Sequence, residues 1–330
     1  MAKKHKKKIV CIGGGNGPAI SIQALKTMLE DVDIAAVIAM FDTGGSTGRL
    51  RQEFGTQPFS DLMRATLSLS KYDYEGILRP IFYKTRFKDA GKLDGHNLGN
   101  LFMTLSAKYD GDWLHVLRAL GQAAEIVGKV EPVTLDVADL IVELSDGQHI
   151  KTESAIDEPS YDRKLRIKKM WLEPRAKIYP AARKLIEKAD YIVLGPGSTY
   201  TSIVANLIVD GMKEALKISR GKIIYLTGHV YATNKETGPE TLSERIVEIE
   251  RYLPRVIDII VYDDQKPGNP DLIRYQREHF RLLPKDVENI PKQSGGHFLM
   301  KRDIIAEAGK MSSAKLIPVF KEIIKDEVWK

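Results

Sequence analysis

Residues 9–12 form an apolar run that stops at Gly13-Gly14-Gly15-Asn16-Gly17, with Pro18 next. Four apolar residues are too few for a buried helix and have the pattern of a buried strand. The glycines then free the backbone. Proline is tolerated in a first helical turn, where its missing N–H would have had no partner. Ile22, Leu25, Met28 and Leu29 recur at helical spacing, and residues 34–41 form a second apolar, partly β-branched run. A strand, a glycine loop, a helix and a second strand make a β-loop-α-β unit, the connection used between parallel strands.

The same grammar returns later in the chain. Residues 191–194 lead into Gly195-Pro196-Gly197-Ser198, residues 222–226 into Thr227-Gly228, and residues 256–262 into Asp263-Asp264. Helical patterns over 179–188, 206–217 and 240–253 separate them. The alternation predicts an α/β protein: a doubly wound, mostly parallel, Rossmann-like sheet with helices on both faces. Residues 60–128 read as mostly helical, with Ser60 as an N-cap. Residues 133–172 are strand-like with an Asp146-Gly147 turn, which predicts a small antiparallel insertion over roughly 130–175. Residues 1–8 form a basic flexible tail, and residues 9–330 are expected to form one domain.

Charge and cysteine content narrow the setting. The net charge is +6, but Lys3, Lys4, Lys6, Lys7 and Lys8 all lie in the tail, which leaves +1 for the rest. A nucleic-acid partner is therefore not expected. The single cysteine, Cys11, excludes an internal disulfide framework. No apolar run reaches the roughly 18–20 residues of a membrane span, and no signal-peptide core precedes the first strand. A cytoplasmic location is expected.

In open α/β sheets, ligands sit beyond the carboxyl ends of the strands. Glycine admits an anion close to the backbone, and a helix N-terminus adds free N–H groups. Gly13, Gly14, Gly15 and Asn16 form the first such loop. It is not a Walker A loop, since no Lys-Ser/Thr follows. It also misses the dinucleotide fingerprint, because Pro18 takes the place of the third glycine. The second loop runs from Asp42 to Arg49 and carries Gly44, Gly45, Ser46 and Gly48. Arg49 offers a planar fork to phosphate, and Asp42 is suited to a ribose hydroxyl or a metal. The third loop pairs Gly195 and Gly197 with Ser198, Thr201 and Ser202, and Asn206 follows at helical spacing. Gly95-His96-Asn97 opens a helical stretch, where a lone histidine more often serves as a structural hydrogen-bonder. The histidines show no zinc spacing, and Ser198 lacks the setting of a hydrolase nucleophile.

Taken in order, GGGNG, DTGGSTGRLR, GHNLGNL and GPGSTYTSI-x-x-NL-x-V-x-G resemble the YvcK-like and CofD-like superfamily from about residue 8 to the C-terminus. The GRLR and GPGS-x-YTSI forms resemble the YvcK-like branch, the gluconeogenesis factors. That likeness implies a protein that binds a UDP-sugar, is linked to central carbon metabolism and cell-shape control, and forms a homodimer. The CofD branch instead transfers a 2-phospho-lactyl group from a guanosine diphosphate carrier to a deazaflavin precursor. The resemblance adds Asp61, Arg64 and Asn97 to the site, together with Tyr275 and Arg302, which match a tyrosine and an arginine that hold the UDP-sugar. This chain departs from the branch at Thr43, where a second aspartate is usual, at Ala65, where asparagine is usual, and over residues 228–237.

Three functions follow as expectations. The first is a nucleotide-sugar-binding regulator. The second is a phospho-group transferase, in which Asp42 and Asp61 would hold a divalent metal such as Mg2+ on the diphosphate. The third is a nicotinamide-dependent oxidoreductase with Asp42 on the adenosine ribose.

Overall fold

The structure is a computed structural model and describes residues 5–291, 296–306 and 309–325. Among the described residues twelve strands follow one another: β1 (Lys7–Gly13), β2 (Val32–Ile38), β3 (Gly128–Pro132), β4 (Asp139–Leu144), β5 (His149–Lys151), β6 (Ile167–Glu173), β7 (Tyr191–Leu194), β8 (Lys222–Leu226), β9 (Val230–Ala232), β10 (Ile259–Tyr262), β11 (Phe280–Leu282) and β12 (Phe298–Lys301). Seven of them form one sheet in the order β12-β10-β8-β7-β1-β2-β3, and every pairing in it is parallel.

β1 lies mid-sheet, so its residues are covered on both faces, and Ile9 to Ile12 are almost fully buried. That explains a run with no polar alternation. Cys11 pairs across with Ala36 on one side and Val193 on the other. Strand order runs one way from β1 through β2 and the other way from β7 through β8. The reversal between β1 and β7 is the topological switch point, and a crevice opens there beyond the strand ends.

Helices α1 (Gly17–Leu25), α2 (Gly45–Phe54), α3 (Phe59–Ser68), α4 (Leu98–Asp110), α5 (Trp113–Ala123) and α6 (Glu153–Asp157) lie in the first half. Pro18 sits in the first turn of α1, as its position predicts. The insertion is a three-stranded antiparallel sheet, β5-β4-β6, carrying α6. A two-stranded ribbon, β9 with β11, stands beside the β8 end.

Several boundaries differ from the sequence reading. β3 joins the edge of the main sheet, so the antiparallel piece begins after it. Pro58 takes the N-cap place of α3, and Ser60 is a buried first-turn residue whose carbonyl accepts from the Tyr83 hydroxyl at 2.9 Å. The helix expected over 206–217 is two pieces. One runs Thr199–Val204 into Ala205–Leu207, and Met212–Ile218 follows after Gly211 at φ +92°. β1 starts inside the expected tail, and Lys6 Nζ donates to the Leu29 carbonyl at 2.6 Å.

Candidate functional site

The first and third glycine loops meet at the switch point. A β-carbon on Gly17 would collide with the Pro196 carbonyl, so only glycine allows the two loops to close on each other. A β-carbon on Gly14 would lie 3.3 Å from Asp61 Oδ2 and 3.6 Å from Ser202 Oγ. Gly14 thus marks where three chain segments converge. Gly15 takes φ +62°, the left-handed region that favours glycine, and its N–H donates to Asp61 Oδ2 at 2.6 Å. Asp61 Oδ1 accepts from Arg64 Nη1 at 2.9 Å, and the Arg64 guanidinium lies over the Tyr83 ring. Gly14, Gly15, Asn16, Gly197, Ser198 and Ser202 line a crevice of about 550 Å³. Tyr74 and Arg79 form part of its far wall.

The second loop is built around Asp42. Its Oδ1 accepts from Gly44 N–H at 2.8 Å, Gly45 takes φ +45°, and a β-carbon on Gly48 would strike the Thr43 carbonyl. Arg49 is exposed and places Nη2 on the Asp94 carbonyl at 2.8 Å. Arg49 forms no ion pair with Glu53, one helical turn on, among the described residues. Ser46 turns its hydroxyl to His96 Nδ1 at 2.7 Å and to Asn100 Nδ2 at 3.0 Å, which fastens α2 to α4. Asn97 caps α4 through Asn100 N–H at 2.8 Å. His96 is therefore a structural hydrogen-bonder, and burial followed by the Arg49 charge lowers its pKa.

The insertion supplies a carboxylate that sequence reading missed. α6 brings Glu153 to Thr43 N–H at 3.4 Å and Ser154 Oγ to Thr43 Oγ1 at 3.0 Å. Burial, then the charges of Asp42 and Asp157, push the Glu153 pKa up to about 8. Burial and the Asp61 charge raise Asp42 as well. Nothing in the sequence near residue 153 marks it, because its role arises from where the antiparallel sheet docks.

On the third loop, the N–H groups of Thr199, Tyr200 and Thr201 all point at the carboxylate of Glu236, at 2.5, 3.1 and 3.2 Å. These are the amides expected to face a ligand anion, and here a side-chain anion sits on them. Burial raises the Glu236 pKa to about 7, against the pull of the three donors. Asn206 is fully buried and donates to the Ser202 carbonyl at 2.8 Å, one turn behind the crevice. Tyr275 is buried under Gly309, a rim residue of the crevice. Arg302 pairs with Glu322 on the helix Ser313–Ile324, with Nε at 3.0 Å from Oε2, and does not line the crevice. Of these two candidates, then, Tyr275 reaches the site's edge and Arg302 does not.

Among the described residues, no group of three or more His, Cys, Asp or Glu side chains is arranged to hold a metal ion. Mg2+ commonly uses only one or two carboxylates together with substrate phosphates. The Asp42–Asp61 pair fits that pattern, since the charge of Asp61 raises the proton affinity of the buried Asp42, and a cation between them would relieve it.

Fold and site together define a class: a doubly wound α/β protein with glycine loops and hydroxyls facing an anion-sized crevice at the switch point. The family model described as 2-phospho-L-lactate transferase CofD matches residues 9–303, and the chain belongs to that family. A Thermotoga maritima protein named as a gluconeogenesis factor is 34% identical over 86% of this chain and 87% of its own. The Bacillus subtilis gluconeogenesis factor is 30% identical over 96% of this chain and 99% of its own. The crystal structure of a Bacillus halodurans protein matches with a TM-score of 0.86 at 29% identity, covering 96% of this chain and 99% of that one.

Proposed function

We propose that this chain binds a nucleoside diphosphate ligand, a UDP-sugar first among them, in the switch-point crevice. In this reading it serves as a regulator of central carbon metabolism or cell shape and acts as a homodimer. The observation that carries the reading is the convergence at Gly14, where the Gly13–Gly17 loop, Asp61 and Ser202 enclose a space that any side chain would fill. A volume of about 550 Å³ accommodates a nucleotide-sized ligand. The names of the Thermotoga and Bacillus relatives support the metabolic role.

A second reading, phospho-group transfer, is favoured by the Asp42–Asp61 pair and by the description of the family model. There Asp42 and Asp61 would hold the metal, and this chain's Arg49 and Ser202 would orient the diphosphate. Calorimetric titration with UDP-glucose and with GDP, each with and without Mg2+, tests binding. Incubation of the same mixtures followed by product analysis tests turnover. Tight UDP-glucose binding without turnover supports the regulator. Mg2+-dependent consumption of a guanosine diphosphate carrier supports the transferase.

A further inference from the structure

A second cleft lies on the other side of the Gly197–Thr199 turn. It holds about 590 Å³ between that turn, the segment 233–240 and the β9–β11 ribbon. Its lining carries five basic side chains, Arg163, Arg166, Lys235, Arg245 and Arg281, against three acidic ones, Asp157, Glu236 and Glu240. Two of the bases are matched: Arg166 pairs with Glu240 at 3.1 Å and Lys235 with Asp157 at 3.0 Å. Glu236 is committed to the three amides of the β7 loop.

The other three bases have no carboxylate partner among the described residues. Arg163 donates to the Lys235 carbonyl at 2.5 Å, and Arg245 Nε to the Pro239 carbonyl at 3.4 Å. Arg281 is exposed on β11, and its side chain makes no hydrogen bond or ion pair among the described residues. Arg245 is only 9% exposed. A buried guanidinium without a counter-ion is costly, and proteins keep one chiefly where a ligand supplies the charge. The excess is felt nearby. Lys285 Nζ donates to the Gly228 carbonyl at 2.7 Å, and burial, then the Arg245 charge, lowers its pKa to about 7.

We propose that this cleft is an anion site adjoining the nucleotide crevice, with which it shares Gly197, Ser198 and Gly228, and that it takes a phosphate or phosphate-monoester group between Arg163, Arg245 and Arg281. The three arginines come from three different elements: the insertion, the helix Leu242–Glu250 and β11. A dianion matches the surplus charge better than a single carboxylate does. Planar forks also suit phosphate oxygens. The site is argued from its own charges and does not depend on what the neighbouring crevice binds.

Calorimetry or phosphorus NMR with inorganic phosphate and with phenyl phosphate tests the site on the full chain. Wild type should bind at least one of the two probes. Tighter phenyl phosphate marks an organic phosphate as the natural occupant, and equal binding marks free phosphate. Arg281→Ala and Arg163→Ala should each weaken binding about tenfold, the loss of one charged hydrogen bond, with melting temperature unchanged for the exposed Arg281. Arg245→Gln should abolish binding, and if it fails to fold the other two variants still decide. Gly14→Val, aimed at the other crevice, should leave phosphate affinity as in wild type. Absence of binding in wild type, or full affinity in both Arg281→Ala and Arg163→Ala, would overturn the site. Loss of phosphate in Gly14→Val alone would place the ion on the β1 loop and overturn it too. A failure of UDP-glucose to bind bears only on the nucleotide reading.

Discussion

Gly14 in the crevice, and Arg49 and Glu153 beside the second loop, make separable claims. Gly14 needs no left-handed backbone; that demand falls on Gly15, its neighbour. What Gly14 supplies is room, since its β-carbon would already sit 3.3 Å from Asp61 Oδ2 and valine would add two more carbons there. Gly14→Val should lower nucleotide affinity by two orders of magnitude or more and melting temperature by only a few degrees, read by calorimetry and circular dichroism. Arg49 spends one nitrogen on the Asp94 carbonyl and keeps the rest of its fork free beside the second loop. Arg49→Ala should weaken a diphosphate ligand roughly ten- to a hundredfold, from about 1.5–3 kcal/mol of charged hydrogen bonding. Arg49→Lys should restore part of that, because the charge returns and the fork does not. Affinity unchanged in both would leave Arg49 as a strut for the 94–97 turn. Glu153 tests the electrostatics. Its pKa is raised in the fold to about 8, so the folded chain holds a proton that the unfolded chain has released. Stability due to this group is therefore full below the ordinary glutamate range and is lost as pH rises towards about 8. Glu153→Gln should flatten that decline, with a higher melting temperature than wild type at about pH 8 and little difference at about pH 5. Parallel pH curves for the two proteins would remove Glu153 from the acidic cluster.

At the scale of elements, the segment 233–240 is tied at several points, and Glu236 makes the tie to the β7 loop. Three amides of the β7 loop converge on Glu236, and Lys235 reaches Asp157 and Glu158 of the insertion at 3.0 and 2.6 Å. The segment thus ties the insertion to the main sheet. Glu236→Ala should cost about 1–3 kcal/mol, the penalty for leaving amide donors unpaired. It should also open the chain to limited proteolysis between residues 230 and 240 more than elsewhere. Cleavage sites spread as in wild type would mean that the contacts from Arg163, Arg166 and Lys235 hold the segment without Glu236. The same element shows why part of the site was hidden in the sequence. Gly-rich loops at strand ends are visible because strand, loop and helix follow one another within a dozen residues. Glu153, Glu236 and Arg245 become functional candidates only after the antiparallel sheet and the 233–240 segment fold back, and no local pattern records that return. Ser46 and Asn97 carry a second role that no motif records. Their motif context is that of a ligand loop, yet each side chain is spent on joining or capping helices α2 and α4.

For the molecule as a whole, β1 and its neighbours were legible because burial on both faces removes polar alternation, leaving short apolar runs with glycine ends. The parallel order and the switch point follow from that grammar. The limits of elements were less legible: the helical pattern ends at Gly128 and the insertion is expected from about residue 130, so β3 shows no strand signal, with Val130 flanked by Lys129 and Glu131. The sheet gathers the loops after β1, β2 and β7 beyond the carboxyl ends of its interior strands, and the central claim is that a nucleoside diphosphate binds there through the β1 loop. Isothermal titration of UDP-glucose into the wild-type chain and into Gly14→Val, with melting curves to show both folded, tests it most directly. The account predicts saturable binding by wild type, with affinity lost in the variant. Equal affinity in the two folded proteins, or no heat from UDP-glucose or GDP in wild type with or without Mg2+, would contradict it.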